Sequence, residues 1–267
     1  MNTKLLTAKQ AIKYALPKSI ERTLALFFGK AEITNFQPTY HHDSLATNHW
    51  LSRNARFDSA YKKAVDLGLA VDPHTEWRAH VCCWAASVGA KLGGGFVECG
   101  VNRGFLSRII IDYLGITPDF YLLDTYQGFD PRFLSKEQAN GLKAWHKASG
   151  RPGPWQQGMY DDCYADVVRT FSDCSQVKIV KGPVPDTLSQ VVADRIAYLS
   201  LDMNCAVPEI AALNYFWPKM IPGAYVVMDD YGHPGHEEQR DAFDKFSRDR
   251  GVPLMSLPTG QGLLVKI

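Results

Sequence analysis

Three carboxylates stand where two apolar strings end. Asp202 closes Ala197-Tyr198-Leu199-Ser200-Leu201, and Asp229 and Asp230 close Ala224-Tyr225-Val226-Val227-Met228. Short apolar runs of this kind read as buried strands. In an open α/β sheet, ligands gather at the carboxyl ends of such strands. Three acids meeting there repel one another and raise each other's pKa values. A Mg²⁺-like ion removes that conflict, because hard cations take oxygen ligands and keep room for water or substrate oxygens. Asp202, Asp229 and Asp230 are therefore candidate metal ligands. For any one of them alone, an acid that merely terminates a strand would be the better reading.

A second constellation precedes them. Glu98-Cys99-Gly100-Val101-Asn102-Arg103-Gly104 runs from strand through turn to helix. Its glycines permit a tight turn and a close approach to a ligand, beside the free N–H groups of a helix start. Asp124 ends the next apolar string, Phe120-Tyr121-Leu122-Leu123, where an acid can accept both hydroxyls of a ribose. Together these point to a nucleoside-containing cofactor. A dinucleotide site wants glycine at the position of Asn102, where the pyrophosphate passes. The bulk of Asn102 and Arg103 leaves room instead for a cofactor without phosphates, of which S-adenosylmethionine is one. Tight strand-to-helix turns also use glycine with no ligand at all.

Beyond the Asp-Asp pair lies Tyr231-Gly232-His233-Pro234-Gly235-His236. Pro234 and Gly235 break the helix that would align two histidines on zinc. A substrate contact or base role for His233 competes with a solvated loop.

The elements that must position these groups alternate. Helices are expected from about Phe57 to Leu67 and from Thr75 to Leu92, the second stopped by Gly93-Gly94-Gly95. Strand Phe96–Cys99, helix Gly104–Leu114 and strand Phe120–Asp124 follow. Later come helix Asp162–Phe171, strand Val177–Val180, strand Ile196–Asp202, helix Pro208–Trp217, strand Ala224–Asp229 and helix Glu237–Arg250. Two terminal strands lie near Leu254 and over Leu263–Ile267. Strand–helix alternation implies a doubly wound, mostly parallel α/β sheet, Rossmann-like in plan. Residues 130–160 are too long for a connector and read as a lid insertion. Trp145, Trp155 and Tyr160 within it suit stacking on a sugar ring, or packing within the loop. Residues 1–74 form a helical and irregular N-terminal extension to a domain spanning 75–267. In it Ile12, Leu16, Ile20, Leu24 and Phe27 make an apolar face. Packing on the core or on a second copy, giving a homo-oligomer, is preferred there over a membrane surface. His41, His42 and His49 read as surface histidines of a loop.

Composition narrows the partners. The 267 residues are 46% hydrophobic and 21% charged, which is ordinary for a globular domain. A formal net charge of +1, without a clustered basic face, gives no reason to expect nucleic acid. No run approaches the roughly 20 apolar residues of a transmembrane helix. The six cysteines are scattered without a C-x-x-C pair, and the longest apolar run near the N-terminus, Leu24 to Phe28, is too short for a signal-peptide core. A reducing cytoplasm is expected.

In order and spacing, Phe96-Val97-Glu98-Cys99-Gly100-Val101-x-Arg103-Gly104, Leu123-Asp124-Thr125-Tyr126-x-Gly128-Phe129, Leu201-Asp202 and Pro222-Gly223-Ala224 leading to Asp229-Asp230-Tyr231-Gly232 resemble the macrocin O-methyltransferase family over roughly residues 75–267. The resemblance implies a seven-stranded class I methyltransferase sheet with an antiparallel last strand. It also implies metal-dependent O-methylation of a sugar or glycosylated small molecule. By it, Glu98, Gly100 and Gly104 border the methionine part of S-adenosylmethionine and Asp124 holds its ribose, with Cys99 and Thr125 in the same cofactor-binding set. Asp202, Asp229 and Asp230 bind Mg²⁺, Asp202 also accepting the proton. Tyr231, His233, Trp145 and Trp155 are substrate candidates. One departure stands out: where the family often reads Gly-Asp-Leu-Tyr-Glu-Ser-Thr after the first metal aspartate, this chain has Met203-Asn204-Cys205-Ala206-Val207-Pro208-Glu209. Two other readings share these residues: a nicotinamide-dependent dehydrogenase, and a degenerate methyltransferase fold that binds without catalysing.

Overall fold

The structure, a computed structural model, describes residues 54–70, 75–115, 118–134 and 162–267. The expected N-terminal apolar face, the three loop histidines, Trp145, Trp155 and most of the lid lie outside the described residues. So does Tyr160.

Strand β1 (Gly95–Cys99), β2 (Phe120–Asp124), β3 (Val177–Lys181), β4 (Ile196–Leu201) and β5 (Met220–Met228) run parallel. Strands β6 (Leu254–Ser256) and β7 (Gly262–Val265) complete a seven-stranded sheet in the order β3-β2-β1-β4-β5-β7-β6. β7 is antiparallel to both β5 and β6. This is the seven-stranded, mostly parallel arrangement expected from the sequence.

Both faces of the sheet are covered, and the two-residue side-chain period decides which residue faces which layer. Phe96, Phe120, Leu122 and Tyr198 join one buried cluster. That cluster is closed by helices α1 (Ala55–Asp66), α2 (Glu76–Leu92), α3 (Phe105–Leu114) and α4 (Tyr164–Thr170). Val97, Cys99, Tyr121, Leu123, Leu199 and Leu201 join the other, under α5 (Ala206–Phe216) and α6 (Glu237–Arg250). Because both faces are buried, the central strands are apolar throughout rather than alternating.

Local signals explain the helix ends. Asn54 caps α1, its side chain accepting the Phe57 N–H at 3.0 Å. Phe57, Ala60, Tyr61 and Ala64 then form the buried stripe of that helix. Helix α2 ends on Gly93, and α6 on Gly251, both left-handed. Strand β5 begins four residues before the expected Ala224. Pro222 and Gly223 fall where the β4–β5 register shifts, an irregularity that accommodates a residue with no N–H to donate.

Register fixes the site. Cys99 pairs with both Leu123 and Leu201, and Leu201 pairs with Met228. The next residues, Gly100, Asp124, Asp202 and Asp229, therefore lie in one row at the carboxyl edge. The chain leaves β1 toward β2 and β3, then returns to β4 on the other side. The switch point lies between the loops after β1 and β4.

Candidate active site

Gly100 has φ +89, a left-handed conformation that glycine adopts without strain, and a Cβ there would collide with the carbonyl of Asp202. The two loops flanking the switch point touch through that absent side chain. The Asp202 N–H donates to the Cys99 carbonyl at 2.9 Å, closing the same contact. From the neighbouring strand, Asp124 organises the glycine turn. Its Oδ2 accepts the N–H groups of Val101 at 2.6 Å and Asn102 at 2.8 Å, and its Oδ1 accepts that of Tyr126 at 2.6 Å. Much of the acceptor capacity of this carboxylate is thus spent on holding two loops together. Glu98, 2% exposed, takes a short hydrogen bond from the Ser107 hydroxyl of α3. Burial pushes its carboxyl up to about 8 despite that bond.

The three candidate metal ligands come together: one carboxylate oxygen from each of Asp202, Asp229 and Asp230 lies within 4.8 Å of the others. Adjacent parallel strands bring them there, and the Asp229 N–H donates to the Leu201 carbonyl at 3.0 Å. Burial, then repulsion from Asp229 and Asp230, holds the Asp202 carboxyl well above the usual range. Asp229 is also raised by burial, with Arg78 opposing the shift.

Arg78, in the first turn of α2, is a member of the cluster that the sequence reading missed. Its Nε donates to Asp229 Oδ1 at 3.1 Å, and its Nη2 pairs closely with Asp229 Oδ2 and with Asp230 Oδ1 at 3.0 Å. Burial alone would lower its pKa, but Asp229, Asp230 and Asp202 outweigh that and keep the guanidinium charged. Gln261, wholly buried and the residue just before β7, donates from Nε2 to Asp229 Oδ1 at 3.0 Å. No local signal marks either residue, because they stand 151 and 32 positions from Asp229 in the chain.

The donor set fits a hard divalent ion. It consists of carboxylate oxygens, and a divalent charge among them would relieve the mutual repulsion that raises Asp202.

Two cavities meet at this point. The first is lined by Leu123, Asp124, Thr125, Phe129, Val184 and Met203, among others, and is mainly apolar. The second is lined by Thr75, Arg78, Glu98, Arg103, Asp229 and Asp230, with Leu69 at its side. Gly100, Asn102, Asp202 and Asn204 belong to both walls. Asp202 therefore stands at the junction.

Not every expected residue reaches these cavities. Cys99 is fully buried in the layer under α5 and lines neither. Gly104 sits against the Phe171 ring at the start of α3. The Tyr231 hydroxyl donates to Asp244 on α6 at 2.7 Å, and the His233 ring lies against Gly260. All six cysteines are free and buried. Among the described residues, no helix is long and apolar enough to cross a membrane.

A sheet of this order, with its cavities at the switch point, has the plan of the class I methyltransferase fold. Solved structures agree. The O-methyltransferase NovP is 22% identical with a TM-score of 0.55, covering 72% of this chain and 78% of NovP. CalS11, a calicheamicin methyltransferase, is 17% identical with a TM-score of 0.54, covering 86% of this chain and 94% of that one. Residues 80–256 match the profile of the macrocin O-methyltransferase (TylF) family, and the chain belongs to that family.

Two curated relatives are more specific. The 8-demethyl-8-(2,3-dimethoxy-α-L-rhamnosyl)-tetracenomycin-C 4′-O-methyltransferase of Streptomyces olivaceus is 25% identical over 151 residues, 52% of this chain and 53% of that protein. The mycinamicin III 3″-O-methyltransferase of Micromonospora griseorubida is 24% identical over 168 residues, 58% of this chain and 62% of that protein. The match thus spans a little over half the length of these relatives.

Proposed function

We propose that this protein is an S-adenosylmethionine-dependent, divalent-metal-dependent O-methyltransferase acting on a hydroxyl of a sugar or glycosylated small molecule. The observation that carries the reading is the convergence of Asp202, Asp229 and Asp230 at the junction of two cavities. Family membership supports the methyl transfer, and the two curated relatives, both named for methylation of glycosylated compounds, support the acceptor class.

In this reading the first cavity takes the adenosine, with Asp124 and Thr125 on its ribose side and Leu123, Val184 and Met203 against the base. Glu98 and Gly100 border the methionine end, where an ammonium group would draw the buried Glu98 carboxyl into its ionised form. Asp202, Asp229 and Asp230 would hold a Mg²⁺-like ion. When bound, S-adenosylmethionine supplies an electrophilic methyl and leaves as a neutral thioether, while the metal supplies positive charge that eases loss of the acceptor's proton. Asp202 receives that proton on a carboxylate oxygen. The walls shared by the two cavities bring methyl and hydroxyl into line, which converts binding energy into rate. Residues 75–267 carry this machinery, with α1 adding to its core.

The test is methyl transfer from S-adenosylmethionine to a panel of glycosides, with Mg²⁺ and with chelator, alongside calorimetry of donor binding. Asp202→Ala should abolish transfer while leaving donor affinity within a few-fold. Undiminished turnover in chelator would remove the metal from this reading. Donor binding without turnover on any acceptor would favour a binding role for the fold.

A further inference from the structure

Arg78 divides the acid cluster unequally. Asp229 has both carboxylate oxygens engaged by the guanidinium, a further bond from Gln261 at 3.0 Å, and its main-chain carbonyl on Arg78 Nη2 at 3.0 Å. Asp230 gives one oxygen, Oδ1, to the same Nη2 at 3.0 Å, and its Oδ2 lies 3.9 Å from His236 Nδ1. The side-chain contact of Asp202 is a 3.4 Å bond from the Asn204 amide. Two of three candidate ligands are thus already bound to a fixed positive group, and the third is not.

A guanidinium cannot shed its proton to make way for a second cation, since it stays charged at any ordinary pH. A divalent ion drawing on Asp229 must share its oxygens with Arg78, and one held through Asp230 Oδ2 still sits near that charge. Like charges a few ångströms apart in a partly desolvated site repel strongly. The same contact has an opposite benefit. Without it, three carboxylates would face one another within 4.8 Å with no counter-charge.

We propose that Arg78 is the resident counter-ion of this cluster: it holds Asp229 and Asp230 assembled when no metal is bound, and it competes with the divalent ion, setting metal affinity below what the three acids alone would give. This builds on the reading of Asp202, Asp229 and Asp230 as a metal site. The arginine spares the protein from depending on metal for its folded state, and the cost is weaker metal binding.

The experiment is Mn²⁺ titration of the full chain by calorimetry and electron paramagnetic resonance, without donor or acceptor. Melting curves in chelator and in saturating Mn²⁺ accompany it. Arg78→Gln should bind Mn²⁺ roughly tenfold more tightly than the parent, as expected for removal of a neighbouring positive charge. It should melt lower in chelator and gain more from Mn²⁺. Arg78→Lys, which keeps the charge on a mobile stem, should fall between the two in Mn²⁺ affinity, and it serves if the glutamine variant does not fold. Should the parent bind Mn²⁺ and both variants bind it equally or more weakly, Arg78 is a structural residue and the proposal fails while the metal site stands. Binding by the variants but not the parent would uphold the counter-ion and remove the metal from the proposed function. Absence of binding in all three would overturn both.

Discussion

Glu209 and Met203 hold the wall beside Asp202 in place: the Glu209 carboxylate, 2% exposed, accepts the Met203 N–H at 2.8 Å. Gln239 of α6 donates to both oxygens of that carboxylate at 3.2 Å and bonds His236 Nδ1 at 2.8 Å through its own oxygen. His236 in turn faces Asp230 Oδ2 at 3.9 Å. A chain of polar contacts therefore joins the loop after β4 to the acids after β5. It runs through both ends of the segment from Met203 to Glu209.

Glu209→Ala should strand the Met203 N–H and the Gln239 amide in a buried space. The expected loss is about 2–4 kcal/mol of stability, the range for unsatisfied buried polar groups. Glu209→Gln keeps an acceptor for Met203 and should lose about 1 kcal/mol. Urea denaturation of the two variants checks the order. A Glu209→Ala protein as stable as the parent would show that the wall stands without this anchor.

Two buried carboxyls make stability depend on pH. Burial raises Glu98 and Glu209 each to about 8 from an ordinary 4.5. Between those values the folded protein keeps protons that the unfolded chain has released, so the stability these two groups contribute is full below pH 4.5 and is lost as pH rises toward 8. Each group contributes a slope of up to about 1.4 kcal/mol per pH unit. The unliganded protein should melt lower at pH 8 than at pH 5.5, and Glu98→Gln should flatten the dependence. A melting temperature that climbs over this interval would contradict the burial of these groups in their protonated, neutral form.

Gly100 and Gly93 separate conformational strain from collision. Both have positive φ, +89 and +71, but a Cβ at Gly93 meets nothing within 4 Å, whereas one at Gly100 strikes the Asp202 carbonyl. Gly93→Ala should cost about 1 kcal/mol, the price of a left-handed alanine. Gly100→Ala should cost about 3 kcal/mol or more and weaken donor binding, since the strand ends must part. Calorimetric melting and donor titration of both variants test this. Equal losses would mean that the β1 and β4 loops can separate freely.

Much of this site was legible in the chain. Apolar strings ending in Asp124, Asp202 and Asp229-Asp230 are local patterns, since burial on both faces of a parallel sheet demands unbroken hydrophobicity. The acids fall where that demand stops, at the carboxyl edge of the sheet. The glycine turn between β1 and α3 was equally local, because Gly100 answers to its own backbone angle. The substrate candidates Tyr231 and His233 fared differently. Nearness in sequence to Asp230 put them in consideration, yet the chain turns after β5 and directs one side chain to Asp244 and the other to Gly260.

The sequence by itself determined the order of strands and helices along the chain and the row of acids at strand ends. All of these follow from hydrophobic period and backbone geometry over a few neighbouring residues. Only the tertiary structure decided that Arg78 and Gln261 close on Asp229, that Glu209 anchors the Met203 wall, and that Asp202 stands where two cavities join. Those facts depend on which helix packs over which strand end. Charge pairing across 151 positions of chain leaves no periodic trace in a sequence.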